Sequence, residues 1–328
     1  MEKYTPPFDI TNKMLECVAE IMENLGKLSD VNEAEKLPRL RKVSRIKSIH
    51  SSLAIENNTL SLGQVTDLIE GKRVLGPEKD IIAVKNAFAA YDELDQIEPY
   101  KLSDLLAVHK VMMGGLVEEN GMLRTGNVGV FDQNGNVLHT APPAQMVGGL
   151  MEELFRWVKN SDAHMLIKSS VFHYEFEFIH PFRDGNGRMG RLWQTALLAD
   201  WKPIFKYVPI ESVIKDNQEA YYKAIAKSTG EGKSNAFIEF MLRVIDEAIK
   251  DIVCDTREHY NHISIQVNKL MKVIEYYPLS SQMLMDKLGL KSRMGFVKNY
   301  LKPALDAGLI GMTLPDKPTS KNQMYFKL

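Results

Sequence analysis

The residues best suited to chemistry lie within twelve positions, His180-Pro181-Phe182-Arg183-Asp184-Gly185-Asn186-Gly187-Arg188-Met189-Gly190-Arg191. Gly185, Asn186 and Gly187 stand directly before a run of helical character, Arg188 to Leu198. In that position backbone N–H groups can turn toward an anion, and the helix dipole adds its positive end. Arg188 and Arg191 are three residues apart and share one face of the first turn. Two guanidiniums over such a cradle suit a polyphosphate, whose charge is dispersed. Asp184 supplies a carboxylate where a phosphate-bridging Mg²⁺ would sit. His180, four residues earlier, is the nearby group able to take a proton near neutral pH. Phe182 between them reads as an anchor into the core.

Two other phosphate-binding readings fail. Gly185, Gly187 and Gly190 match G-x-G-x-x-G, but a dinucleotide site needs a strand before the glycines and a βαβ unit around them. The preceding residues leave the element open. Tyr174, Phe176 and Phe178 alternate like a strand, while Phe172, Phe176 and Ile179 fit a helix. No βαβ succession surrounds them. Gly230-Glu231-Gly232-Lys233-Ser234 resembles a phosphate loop, yet Lys227 stands where its first glycine belongs.

The elements that must position these residues are mostly helical. Ile81, Val84, Phe88 and Tyr91 recur at helical spacing, with Pro77 and Glu78 suiting a first turn. Leu102, Leu105, Leu106 and His109 repeat that spacing, and Phe237, Phe240, Met241, Val244 and Ile245 open a long amphipathic stretch toward Cys254. The exception lies between Asn127 and Pro143. Two β-prone runs flank Asn134-Gly135, a strong hairpin signal, and Pro142-Pro143 stop the second run. A boundary is expected near 256–264. Beyond it the spacing predicts a helix, a second helix (Met283 to Leu288) capped by Ser280-Ser281 and stopped by Gly289, and a third from Arg293 to Leu305. Two strand-like runs, 307–310 and 323–326, then complete the pattern of a winged helix.

The 328 residues carry 41 Lys+Arg against 42 Asp+Glu, a net charge of -1. This excludes a basic coat for nucleic acid as a property of the whole chain. The balance is uneven along the chain: residues 261–328 hold ten basic against four acidic residues, +6, leaving -7 for residues 1–260. Lys291, Arg293, Lys298 and Lys302 on the third helix of the tail make DNA a partner to consider, with protein contact or dimerisation as the alternative. Cys17 and Cys254 are too few for a disulfide framework and read as small buried apolar residues. No apolar run is long enough to span a membrane, and the start lacks a secretory signal, so the expected location is cytoplasmic.

The segment from His180 to Arg191 is similar to the signature of the Fic family, H-x-F-x-[DE]-G-N-G-R-x-x-R, with every specified position filled. The likeness extends to Gly121-Met122-Leu123-Arg124-Thr125, the hairpin and Tyr221-Tyr222, roughly residues 101–250. It implies a mainly α fold: a Fic-type helical bundle with a β-hairpin flap, here followed by the winged helix. The resulting division is 1–100 as an N-terminal helical region, 101–257 as the Fic core and 262–328 as the winged-helix domain. The resemblance further implies transfer of AMP from ATP to a Ser, Thr or Tyr hydroxyl of a protein target, itself included, with release of pyrophosphate. His180 would then be the general base and Asp184 the Mg²⁺ ligand. Gly185, Asn186 and Gly187 would cradle the phosphates, with Arg188 on the phosphates and Arg191 on the γ-phosphate. Tyr222, together with Tyr221, would line the adenine pocket, and the flap (Val128, Val130, His139) would clamp the target by strand-like pairing. Ser52-Leu53-Ala54-Ile55-Glu56-Asn57 fits the family's inhibitory motif [ST]-x-x-x-E-[GN]. It implies that Glu56 pairs with Arg191 and competes with the γ-phosphate, while Ser52 and Asn57 brace the same turn. Three points stay open: a hydrolase removing AMP from the same site, a nucleotide other than ATP, and a homodimer.

Overall fold

The computed structural model describes residues 4–29, 38–131, 137–262 and 265–328. The chain runs through α1 (Asn12–Ser29), α2 (Pro38–Ile55), α3 (Leu62–Ile69), α4 (Glu78–Asp92) and α5 (Leu102–Met112). A hairpin of β1 (Gly129–Phe131) and β2 (Val137–Thr140) follows. Next come α6 (Ala144–Asn160), α7 (Met165–Ile179), α8 (Asn186–Trp201), α9 (Ile210–Asp216), α10 (Gln218–Glu231) and α11 (Asn235–His262). The remainder holds α12 (Ile265–Val273), β3 (Leu279–Ser280), α13 (Ser281–Leu288), α14 (Arg293–Phe296), α15 (Lys302–Asp306), β4 (Ile310–Met312) and β5 (Met324–Lys327). Contacts divide the chain into two compact units, Met1–Leu25 with Ser44–Ile249, and Gly26–Val43 with Lys250–Leu328.

In the larger unit α7 and α8 are the central pair. Residues 166–177 of α7 are buried without a break. A helix covered on every side needs no polar face, which is why neither the strand nor the helix period dominated its sequence. Phe172, Phe176, Trp193 and Leu197 form one core with Val84, Leu105 and Leu154 from the surrounding helices. The face expected on α4 is the one found: Val84 and Tyr91 are buried, while Ile81 and Phe88 pack at the rim. Pro77 caps α4 instead of standing in its first turn. α2 is seated by small polar groups. Ser48 Oγ donates to Glu211 Oε2 at 2.8 Å, Tyr91 OH donates to Glu211 Oε1 at 2.7 Å, and the Ser51 and Ser212 hydroxyls lie 3.2 Å apart. Serine side chains are short enough to let α2 approach, and the buried Glu211 carboxylate has its acceptors satisfied.

The sequence misplaced some features. The polar run near 256–264, where a boundary is expected, is helical as far as His262, the end of α11. Residues 256–262 include neither Pro nor Gly, so the helix is not interrupted before its end. Cys254 is exposed and Cys17 is half-buried. On α11 the core stripe passes through Ile249 and Val253, which turns Cys254 outward. The Asn134-Gly135 turn lies outside the described residues.

In the smaller unit Ser280 caps α13, its Oγ accepting from Met283 N at 3.2 Å. Gly289 ends the helix with φ 66°. The expected third helix is one helical run from Arg293 to Asp306, with a π turn over Val297–Leu301. That wide turn sits just before Pro303, whose ring lacks an N–H and clashes with an ordinary helical carbonyl. Gly308, at φ 67°, takes the turn, so the first strand begins at Ile310. β5 pairs antiparallel with β4 and also with β3, a strand the sequence did not signal, in the order β3-β5-β4. Leu270, Leu284, Phe296, Leu301, Ile310 and Tyr325 form this unit's core.

Candidate active site

The loop between α7 and α8 is closed by its own residues. His180 ends α7 in the left-handed region, at φ 50° and ψ 62°, with its amide donating to Phe176 O at 2.9 Å. Gly185 caps α8 at φ 85°, and a Cβ there would lie 2.6 Å from Met113 Sδ. The positive φ favours glycine, and the Met113 side chain would have to move to admit any other residue. The Asn186 side chain turns back across the loop. Its Oδ1 accepts from Phe182 N and its Nδ2 donates to Phe182 O, both at 2.9 Å. Asn186 thus supplies only its backbone to any anion, and its amide group fixes the loop. Phe182 is fully buried and stacks on the His109 ring at 3.6 Å.

At the α8 N-terminus lies a pocket of about 220 Å³, lined by Glu56, Lys79, Asp184 and Arg188 among others. Arg188 is 8% exposed. Its Nη2 donates to Asp184 Oδ1 at 3.3 Å, while its buried Nε has no partner. An orphaned guanidinium N–H costs about 1–3 kcal/mol, so the position favours an added acceptor. Asp184 Oδ1 also accepts from Gly185 N at 2.5 Å, and the carboxylate side chain is 57% exposed. The unsatisfied guanidinium suits a phosphate oxygen, and one accessible carboxylate is compatible with Mg²⁺, which is commonly held by one or two protein carboxylates together with phosphate oxygens and water. Among the described residues no cluster of three His, Cys, Asp or Glu side chains offers a metal cage.

Around Arg191 the site is filled from within the chain. α2 ends in a tight turn, with the amides of Glu56 and Asn58 donating to Leu53 O and that of Asn57 to Ala54 O, each at 3.0 Å. Asn57 takes φ 64°, a conformation asparagine accepts more readily than most residues. The turn carries Glu56 to Arg191, whose Nη2 donates to Glu56 Oε1 at 2.7 Å. Arg191 Nε donates to Ser52 Oγ at 3.1 Å and Nη2 to Ser52 O at 3.0 Å. Burial opposes the Arg191 charge, but Glu56, Tyr221 and Glu177 together outweigh it and hold the guanidinium's pKa up. Glu56 also lies directly on the first turn of α8. A Cβ on Gly187 would be 2.3 Å from Glu56 Oε1, so the close approach needs a glycine there.

Of the tyrosines, Tyr221 belongs to the core and not to a pocket: it is fully buried, its OH 3.1 Å from His173 Nε2. Tyr222 is half-buried beside it, where burial raises its pKa and the Glu56 charge adds to the effect. In the hairpin Gly129 pairs with Thr140 and Val130 with His139, just after Val128. The side chains of Val130 and His139 lie outside the described residues.

Several contributors carried no chemical signal in the sequence. His109 Nδ1 accepts from Gly121 N at 2.8 Å, which puts the ring proton on Nε2, 3.0 Å from Asp184 O. Burial holds this imidazole neutral by lowering its pKa. His173 Nδ1 donates to Gln194 Oε1 at 2.6 Å, and burial depresses its pKa to about 3. Glu177 is buried with an unpartnered Oε1, next to Gly190. Burial pushes its pKa to about 8, with Arg191 opposing and Glu56 adding. Arg124 is buried against the end of α7. His109 was legible only as one position on an apolar helix face, and Arg124 only as part of a short motif.

Residues 99–198 match the Fic/DOC family, and residues 265–327 match the C-terminal domain of Fic-like proteins, "filamentation induced by cAMP". A Fic family protein of Desulfovibrio desulfuricans G20 is 46% identical, with a TM-score of 0.76 over 99% of this chain and 98% of that one. The chain therefore belongs to the Fic family. A Fic-domain signalling protein of Bacteroides thetaiotaomicron shares the fold at 18% identity and a TM-score of 0.59, over 71% of this chain and 95% of that one. The "Protein adenylyltransferase Fic" of Aedes aegypti is 26% identical over 245 residues, 71% of this chain and 46% of that protein. The chain thus spans a little under half the length of the curated relatives it matches. No helix among the described residues is long and apolar enough to cross a membrane.

Proposed function

We propose that this chain transfers AMP from ATP to a hydroxyl of a protein target and is held inactive by Glu56. The observation that carries the reading is the Glu56 carboxylate on Arg191 at 2.7 Å, against the same α8 turn whose Arg188 Nε has no partner. That turn offers backbone N–H groups, the helix dipole and two guanidiniums to a triphosphate, whereas Glu56 occupies the second guanidinium. With Glu56 in place, the terminal phosphate lacks Arg191, so ATP binds weakly or with its α-phosphate out of line. With Glu56 displaced, Arg188 and Arg191 would hold the phosphates, and Tyr222 would line the base. His180 Nδ1 lies 3.4 Å from Glu177 O, a carbonyl that accepts its proton, so Nε2 takes the target's proton as the hydroxyl oxygen bonds to the α-phosphorus, and the bond to the β-phosphate oxygen breaks to release pyrophosphate. Asp184 would hold Mg²⁺, which neutralises phosphate charge when bound. Backbone edges of the β1–β2 hairpin suit an extended target segment.

Labelled ATP tests this reading. Glu56→Gly should raise AMP incorporation into proteins at least tenfold over the parent, and His180→Ala in that background should remove it. An unchanged rate in the first variant refutes the inhibition, and retained labelling in the second refutes the base. A Glu56 side chain one-third exposed beside the cradle also favours a second reading, in which it activates water to release AMP from a modified target. AMP release that is lost in Glu56→Gly would establish that reading instead. In the C-terminal unit, read as a winged helix over 262–328, Lys291, Arg293, Lys298 and Lys302 are all exposed. They suit a phosphate backbone, and binding of the full chain to duplex DNA that weakens steeply with salt is the check.

A further inference from the structure

Arg124 is 3% exposed, yet its hydrogen bonds to the rest of the protein reach main-chain carbonyls from three separate segments. Its Nε donates to His180 O at 2.7 Å and its Nη2 to Ile179 O at 3.2 Å, both at the end of α7. Its Nη1 donates to Gly126 O at 2.8 Å, just ahead of β1, and its Nη2 to Pro142 O at 2.5 Å, just after β2. Its own amide donates to Pro181 O at 2.9 Å. The planar guanidinium presents its donors in a fixed fork, so these carbonyls are held in one mutual arrangement. The negative end of α7 compensates part of the buried charge.

His180 needs such an external constraint. It combines φ 50° with a following proline, and both the left-handed conformation and the pre-proline position are restrictive for a residue with a side chain. The hydrogen bond from Arg124 to His180 O fixes the peptide plane that sets where the imidazole points. The same side chain closes the base of the hairpin, since one of its bonds precedes β1 and another follows β2.

We propose that Arg124 is the positioning residue that registers the β1–β2 hairpin on His180, so that a hydroxyl on a segment paired to the hairpin arrives at the imidazole. The proposal rests on the transferase reading above but is tested separately from it. Arg124→Lys keeps the charge and replaces the fork with a single ammonium; Arg124→Ala removes both. In Arg124→Lys the amides of residues 129–131 and 137–140 should exchange with solvent about tenfold faster. The His180 ring resonances should shift with them, while α8 amides and the ATP-induced thermal shift stay as in the parent. If hairpin exchange and His180 resonances are both unchanged, the proposal is overturned, whether or not the chain transfers AMP. In the Glu56→Gly background, Arg124→Lys should also lower AMP incorporation about 10²-fold, as a displacement of about 1 Å at the base would. Incorporation within threefold of that background, with hairpin exchange accelerated, overturns the coupling to His180. Absence of incorporation in the Glu56→Gly background itself speaks against the transferase reading, and leaves the exchange and resonance measurements to decide the role of Arg124. Should Arg124→Ala remain folded, millimolar guanidinium should restore its hairpin protection; no recovery counts against the fork.

Discussion

Two arginines of the first turns of α8, Arg188 and Arg191, end in opposite states. On the Arg188 side, Nε is buried without a partner, the neighbouring carboxylate is exposed, and a pocket of about 220 Å³ opens. On the Arg191 side, the guanidinium is enclosed by Ser52 and Glu56, with Glu177 and His173 behind it. One guanidinium is prepared for an acceptor from outside, and the other has received one from the chain. Removal of an acceptor already in place should therefore change stability and ATP affinity in opposite directions, whereas removal of the waiting donor should change affinity alone.

The largest effect is expected behind Arg191, at Glu177. The folded protein keeps its proton up to about pH 8, whereas an unfolded carboxyl loses it in the ordinary range near 4.5. Across that window the unfolded chain binds fewer protons, so this group's contribution to stability falls as pH rises and becomes constant above the folded value. Glu177→Gln keeps a neutral amide and escapes the penalty. Its advantage over the parent, measured from urea midpoints, should be small at pH 5 and grow to about 4 kcal/mol at pH 8. His173, its Nε2 3.9 Å from Glu177 Oε1, is held neutral by burial above pH 5 in the fold, so its titration belongs to the unfolded chain of both proteins and cancels from the difference. A gap that does not widen with pH would show that Glu177 is ionised in the fold.

Next in size is Glu56→Gly, which leaves Arg191 with only Ser52. Apo stability should fall by about 2 kcal/mol, because a buried guanidinium loses its charged acceptor. ATP affinity should rise about 10- to 100-fold, so the ATP-induced thermal shift grows as the apo midpoint drops. If the two quantities move together, Glu56 does not compete with the nucleotide.

Much of this arrangement was legible in the sequence because its parts are local. The loop from His180 to Arg191 is fastened within itself, by Asn186 on Phe182 and by Asp184 on Gly185 and Arg188, and short-range geometry leaves a readable spacing. The hairpin and the helices of the smaller unit were readable for the same reason, from turn and capping residues such as Ser280 and Gly289. The partners 135 or more positions away were different. Glu56 and Ser52 were found only through a resemblance, since a short Ser-x-x-x-Glu pattern has no chemistry until Arg191 meets it. Glu177 and His173 were hidden inside α7, where burial on all sides removes the contrast by which a buried charge would stand out. β3 is only two residues long, too short for any alternation to register.

Arg188→Leu examines the open side. Because the orphaned Nε disappears with the side chain, stability should stay within about 1 kcal/mol of the parent. In the Glu56→Gly background the ATP-induced thermal shift should nevertheless fall sharply, with an affinity loss of about tenfold or more for one charge-assisted contact. A large loss of stability without loss of affinity would reassign Arg188 to the framework of the loop.

The smallest effect is expected at Ser52→Ala. The substitution removes the hydroxyl that accepts from Arg191 Nε, but the Ser52 carbonyl and Glu56 keep their bonds to Nη2. Arg191 should therefore stay in place at a cost of about 1 kcal/mol, and ATP affinity should rise about threefold at most. Comparison with Glu56→Gly then separates the two parts of the motif. If competition for the γ-phosphate runs through the carboxylate, Ser52→Ala leaves inhibition almost intact. If it runs through the orientation of the guanidinium, Ser52→Ala releases AMP incorporation nearly as well as Glu56→Gly, because Nε is the donor that fixes the plane of the fork. The closed side of α8 would then depend on geometry more than on charge, and its contrast with the open side would lie in how firmly each arginine is aimed.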